Sequence, residues 1–125
     1  MTINEVIEYV DTVKPGNGVD RPMKIKWLST LDQRIKKEII DLHEDDGCDT
    51  VFNGYGESTP GDTVLLVPAP YEPLYIHWLE AQMAYINGEF NQFNNAITMY
   101  NAEYASFASA YRREHKPLTP NLKFF

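Results

Sequence analysis

Cys48 is the chain's single cysteine, so no internal disulfide holds the fold together. A fold that does not lean on oxidation is expected to be made in a reducing cytoplasm. No apolar run approaches the roughly 20 residues that a membrane-spanning helix needs, and no membrane partner is expected. The opening Met1-Thr2-Ile3-Asn4-Glu5 has no basic stretch followed by an apolar one, so no signal peptide is expected. Positive charge is short as well, with 11 Lys and Arg against 18 Asp and Glu for a net charge of −7. A nucleic-acid-wrapping surface neutralises phosphates with Lys and Arg, and this balance argues against one.

Catalytic constellations are equally sparse. His43, His77 and His115 fall in three separate segments, and no pair has metal-ligand spacing on one helix. His43 with Glu44, Asp45, Asp46 and Cys48 is the cluster nearest to a ligand set, and it reads as a solvated acidic helix end. Gly54-Tyr55-Gly56 is too short to cradle phosphate and is not followed by Lys-Ser/Thr. Ser58 and Thr59 lack a motif that marks a nucleophile. The chain is therefore expected not to be an enzyme, and no cofactor, metal or catalytic residue is assigned to it.

What is present is an ordinary globular share of apolar residues, 43%, in a length that suits one domain, together with 13% aromatic residues. Eight of the 16 aromatic residues are tyrosine, which suits surfaces that are buried but partly wet as well as an aromatic core.

Periodicity places four helices. Thr2 and Glu5 form a capping-box pattern, Ile3, Val6, Ile7, Val10 and Val13 follow at helical spacing, and Pro15-Gly16 stops the run, which predicts a helix over 3–13. Asp20 as N-cap and Pro22 in the first turn open a second helix over 21–44. Its stripe is Leu28, Leu31, Ile35, Ile39 and Leu42, and its polar side is Lys24, Lys26, Asp32, Lys36, Lys37 and Asp41. A third helix over 72–87 carries Leu74, Tyr75, Trp78, Leu79, Met83 and Ile86 and ends at Asn87-Gly88. The fourth, over 89–115, has its apolar positions at Phe90, Phe93, Ile97, Tyr100, Tyr104, Phe107 and Tyr111, alternating three and four as in a packed helical seam. Asn91, Gln92, Asn94, Asn95 and Asn101 fill the other faces, and Arg112-Arg113 complement the dipole at the helix end.

Two segments fall outside the helices. Residues 45–70 are broken by Gly47, Gly54, Gly56, Pro60 and Gly61, with short strand-like runs at 50–52 and 63–67, and are expected to form a projecting loop or β-hairpin arm. Val51, Phe52, Tyr55, Val64 and Leu66 are its candidate partner-binding residues. Residues 116–125 hold Pro117 and Pro120 in no helical register and are expected to form an extended tail, either disordered or folded back on its own core, or docking into a neighbour through Leu118, Leu122, Phe124 and Phe125. The expected fold is mainly α: a small single-domain bundle of about four helices with a central arm and a C-terminal tail.

The order and spacing of these features resemble a known class. The stretch Leu74-Tyr75-Ile76-His77-Trp78-Leu79-Glu80-Ala81-Gln82-Met83, running through Asn87-Gly88-Glu89-Phe90-Asn91 to Tyr111-Arg112-Arg113, is similar to head–tail connector proteins of tailed phages and prophages. Ile3-Asn4-Glu5-Val6-Ile7-Glu8-Tyr9-Val10-Asp11 and Lys26-Trp27-Leu28 fit the same pattern. The resemblance covers most of the chain and is weakest in the central loop. It implies a structural virion protein of the neck, also called a head-completion or adaptor protein, made in the host bacterial cytoplasm. Such a subunit forms a ring, twelve-fold when assembled, between the portal and a stopper or tail-completion protein, around the channel through which DNA passes without sequence-specific contact. On that reading the tail is expected to engage the portal, and the arm a neighbouring subunit or the next ring. The other reading is a non-viral cytoplasmic helical module for protein interaction or regulation.

Overall fold

The computed structural model describes residues 1–16, 18–40 and 52–115. They form four helices, α1 (Ile3–Val13), α2 (Arg21–Glu38), α3 (Pro73–Ile86) and α4 (Phe90–Glu114), with no named strand among the described residues. No helix among them is long and apolar enough to cross a membrane.

The capping signals at the helix starts are realised as hydrogen bonds. Thr2 Oγ1 accepts from the Glu5 backbone N–H at 3.2 Å, and Glu5 Oε1 accepts from the Thr2 N–H at 2.9 Å. The bond from the Thr2 backbone, seconded by the Thr2 hydroxyl, holds the Glu5 carboxyl below its usual range. Asp20 caps α2 by accepting from the Met23 N–H at 3.1 Å, with Pro22 in the first turn. At the α3–α4 turn, Gly88 takes φ +73°, a conformation in which a side chain is strained.

The second helix is shorter than its pattern predicts: it ends at Glu38, not at residue 44. Ile39 leaves helical geometry (φ −122°, ψ −59°), keeps one last bond from its N–H to the Ile35 carbonyl, and turns its side chain into the core at 1% exposure. Asp41, Leu42 and the His43 cluster lie outside the described residues. The single-residue differences at the ends of α3 and α4 are the ordinary fraying of helix termini.

The expected arm is described only over residues 52–70. Its described part does not project. The unpaired N–H groups of the first turn of α1 take their acceptors from it: Ile3 N–H donates to Thr63 O at 3.1 Å and Asn4 N–H to Gly61 O at 2.9 Å. Leu65 N–H returns a bond to Met1 O at 2.9 Å, and Thr2 and Val64 form an isolated antiparallel bridge. A strand-like run has thus found the amino-terminal edge of a helix in place of a second strand. Leu65 and Val67 are consequently buried in the core. Gly61 permits the close approach, because a Cβ there would collide with the Asn4 side chain.

The core joins Ile3, Val6, Ile7 and Val10 of α1 to Leu28, Leu31 and Ile35 of α2 and Leu74, Tyr75 and Leu79 of α3. The fourth helix packs chiefly on α3. Three ring pairs mark their antiparallel register: Tyr71 with Phe107 (centroids 6.0 Å apart), Trp78 with Tyr100 (5.0 Å) and Tyr85 with Phe93 (5.7 Å). Each pair lies seven residues from the next along both segments, one heptad, so every rung falls on the same face.

Candidate functional site

Two places combine chemistry with position: a buried carboxylate on α2 and an uncovered apolar corner where α3 turns into α4. Its charge places Asp32 on the polar side of the α2 pattern, but the structure buries it completely. Its position explains this, since residues 28, 32, 35 and 39 fall on one helical face. Asp32 Oδ2 accepts from the Tyr55 hydroxyl at 2.5 Å and from the Leu66 N–H at 3.1 Å, and Oδ1 accepts from the Tyr75 hydroxyl at 2.7 Å. The Tyr75 oxygen in turn accepts from the Val67 N–H at 2.8 Å.

Burial pushes the Asp32 carboxyl upward, and hydrogen bonds from Tyr55, Tyr75 and Leu66 pull against it. Burial first, and the Asp32 charge second, push the Tyr55 and Tyr75 hydroxyls well above the usual phenol range. Both tyrosines therefore keep their protons and donate them to one carboxylate. With every donor directed inward and no exposed oxygen on Asp32, the arrangement is a clamp that ties residues 55–67 to α2 and α3. Beside it, the Ser29 hydroxyl accepts from the Tyr55 N–H at 2.9 Å, and Gln33 Nε2 donates to the Asn53 carbonyl at 3.1 Å.

Lys24 is a second charge that the stripe places inward. It is 3% exposed, and its ammonium donates to Asp11 Oδ1 at 2.5 Å, joining α2 to α1. Both misplaced charges stand at helical steps from Leu28, and that spacing was the signal available in the sequence.

The expected arm residues are placed as follows. Val51 lies outside the described residues. Phe52 is half-buried, edge-on to Tyr55 at 5.2 Å. Tyr55 and Leu66 are anchored to Asp32 through a hydroxyl and an amide. Val64 is 67% exposed. The tail residues Leu118, Leu122, Phe124 and Phe125 lie outside the described residues.

Along α4, Tyr100 and Phe107 are buried, and Ile97, Tyr104 and Tyr111 are half-buried against the core. Phe93 is half-buried against Tyr85. Phe90 does not belong to the seam: it precedes the first rung and α3 has ended at Ile86, so no turn of α3 faces it, and it is exposed. Small residues that the seam pattern omits, Ala96, Ala108 and Ala110, are buried. Burial pushes the Tyr100 hydroxyl up to about 12, and among the described residues it has no hydrogen-bond partner. Tyr104 donates to Glu38 Oε1 at 2.9 Å, tying α4 to α2.

The corner itself comprises Tyr85 (62% exposed), Ile86 (57%) and Phe90 (62%), with the Tyr85–Phe93 ring pair beneath. Three large apolar side chains are thus left open within six residues, where α3 turns into α4, and exposed apolar groups gathered in this way mark contact surfaces. Metal-ligating groups do not gather in the same way: His77 pairs with Glu80 at 3.3 Å, His115 stacks on Tyr111 at 3.8 Å, and among the described residues no group of three or more His, Cys, Asp or Glu is placed to hold a metal ion. In comparisons with protein families, curated proteins and solved structures, nothing matches this chain.

Proposed function

We propose that this chain is a head–tail connector subunit of a tailed phage or prophage, a structural protein that assembles into a ring on the portal, binds the stopper or tail-completion protein, and surrounds the DNA channel. The observation that carries the reading is the open apolar corner of Tyr85, Ile86 and Phe90 at one end of a rigid helical hairpin, on a chain whose helix order and spacing resemble connectors. A ring subunit needs two different faces, one for each neighbour. The corner is one unsatisfied face, and the amide-rich outer surface of α4 supplies a polar surround of the kind that rims a contact. The net charge of −7 suits passage of DNA, because acidic walls offer phosphate no adhesive contact.

Antibody labelling of purified tailed particles tests the proposal. Label confined to the junction of head and tail is the expected result. Particles that lack the protein, or that carry it on head or fibre, would contradict it.

A further inference from the structure

We infer that the α3–α4 corner receives residues 118–125 of a second copy of this chain, in a head-to-tail contact. The corner exposes Tyr85, Ile86 and Phe90, which nothing in the described fold covers. The chain also holds an apolar segment of matching character, Leu118, Leu122, Phe124 and Phe125, beyond α4. The charges agree: residues 116–125 contain two lysines and no acid in a chain of net charge −7, and Glu89 flanks the corner.

Reach decides between the same copy and another. The fourth helix carries the chain about 36 Å away from Phe90 by Glu114, at about 1.5 Å per residue. From His115, a fully extended chain gains about 3.3–3.6 Å per residue, so Leu118 lies at most about 10 Å on, Leu122 about 24 Å and Phe125 about 36 Å. Even a tail folded straight back along α4 brings only its last residue level with its own corner, and leaves Leu118 and Leu122 far short. A neighbour's tail has no such restriction.

Corner and tail leave opposite ends of α4, so each copy offers one of each. A contact between different faces repeats from copy to copy, closing into a ring or continuing as a filament. The inference uses the same corner as the connector reading, but its test is separate. Copies can pair in this way without a portal, and head–tail localisation can fail while pairing holds.

The test uses a labelled synthetic peptide of residues 116–125 titrated onto the full chain, followed by fluorescence anisotropy. Saturable binding is expected, weakened at least about tenfold by Phe90→Asp and by Ile86→Asp, as for central anchors of an interface. Both positions are open to solvent, and circular dichroism verifies that each variant is folded; two variants are made so that the loss of one leaves the test intact. The complementary experiment mixes two full-length variants, Phe90→Asp and the triple change Leu122→Asp, Phe124→Asp, Phe125→Asp. Alone, each is expected to be monomeric by light scattering. Together they should form dimers and nothing larger, because the joined pair leaves one broken corner and one broken tail. Failure of the peptide to bind, equal binding to the wild-type and corner variants, or a mixture that remains monomeric would overturn the inference.

Discussion

Replacing Tyr75 by Phe should destabilise the protein by about 2–4 kcal/mol, whereas the same change at Tyr100 should be neutral or stabilise it by up to about 1 kcal/mol. The two hydroxyls differ in partners, not in burial. Both residues are buried, at 0% and 4% exposure, and they stand on the two helices of one hairpin. The Tyr75 hydroxyl donates to Asp32 and accepts from the Val67 N–H. Its removal takes one charge-assisted bond from a buried carboxylate, worth about 1.5–3 kcal/mol, and leaves a buried amide unpaired at about 1–3 kcal/mol; local rearrangement and a smaller side chain to desolvate recover part of the sum. The Tyr100 hydroxyl has no hydrogen-bond partner among the described residues, so its loss removes a desolvated polar group at no cost in bonding there. Urea denaturation of the two variants beside wild type measures both effects, and an unchanged m-value shows that the unfolded state is the same reference throughout. Near-equal effects of the two substitutions, or a Tyr75→Phe effect below about 1 kcal/mol, would refute the clamp.

Three further expectations follow from the same geometry. Because burial raises the Asp32 carboxyl above its unfolded value of about 3.9, its contribution to stability is fully present below that pH and is lost as pH rises through the folded value; the stability advantage of wild type over Asp32→Asn, from urea curves at a series of pH values, should therefore shrink from acid toward neutral pH. Gly54→Ala should cost about 1–3 kcal/mol in thermal or urea unfolding, because Gly54 sits at φ +89° and a Cβ would strike the Ser29 and Gln33 side chains. Spectrophotometric titration should show phenolate absorbance appearing near pH 12 from Tyr100 and Tyr104, and Tyr100→Phe should remove one part of that step.

Helix starts were the most legible part of this fold, because capping is local chemistry. Thr2 with Glu5 and Asp20 with Pro22 carry their partners within three residues, and both helices begin where those residues place them. The α3–α4 hairpin was legible for a related reason: alternating steps of three and four need only a facing helix, and the next helix in sequence supplies it. The partner of segment 61–67 was not legible, because its run of Thr63, Val64, Leu65, Leu66 and Val67 fixes an extended backbone but not what it pairs with. The partner proved to be the open N–H groups at the start of α1, sixty residues away in sequence, for which pairing patterns within the segment carry no signal. Asp32 and Lys24 read as outward by residue type although their spacing places them inward; the tyrosine and aspartate partners that make those positions tolerable come from other segments. Phe90 failed in the opposite sense: its spacing was right for the seam, but the seam's other wall ends four residues before it.

The most direct test of the central claim is native mass spectrometry of the full chain, alone and mixed with the portal protein of its own particle. A connector subunit should add to the portal as a closed ring with as many copies as the portal has subunits. A mixture in which portal and chain stay separate, at concentrations where the chain is folded, would contradict it.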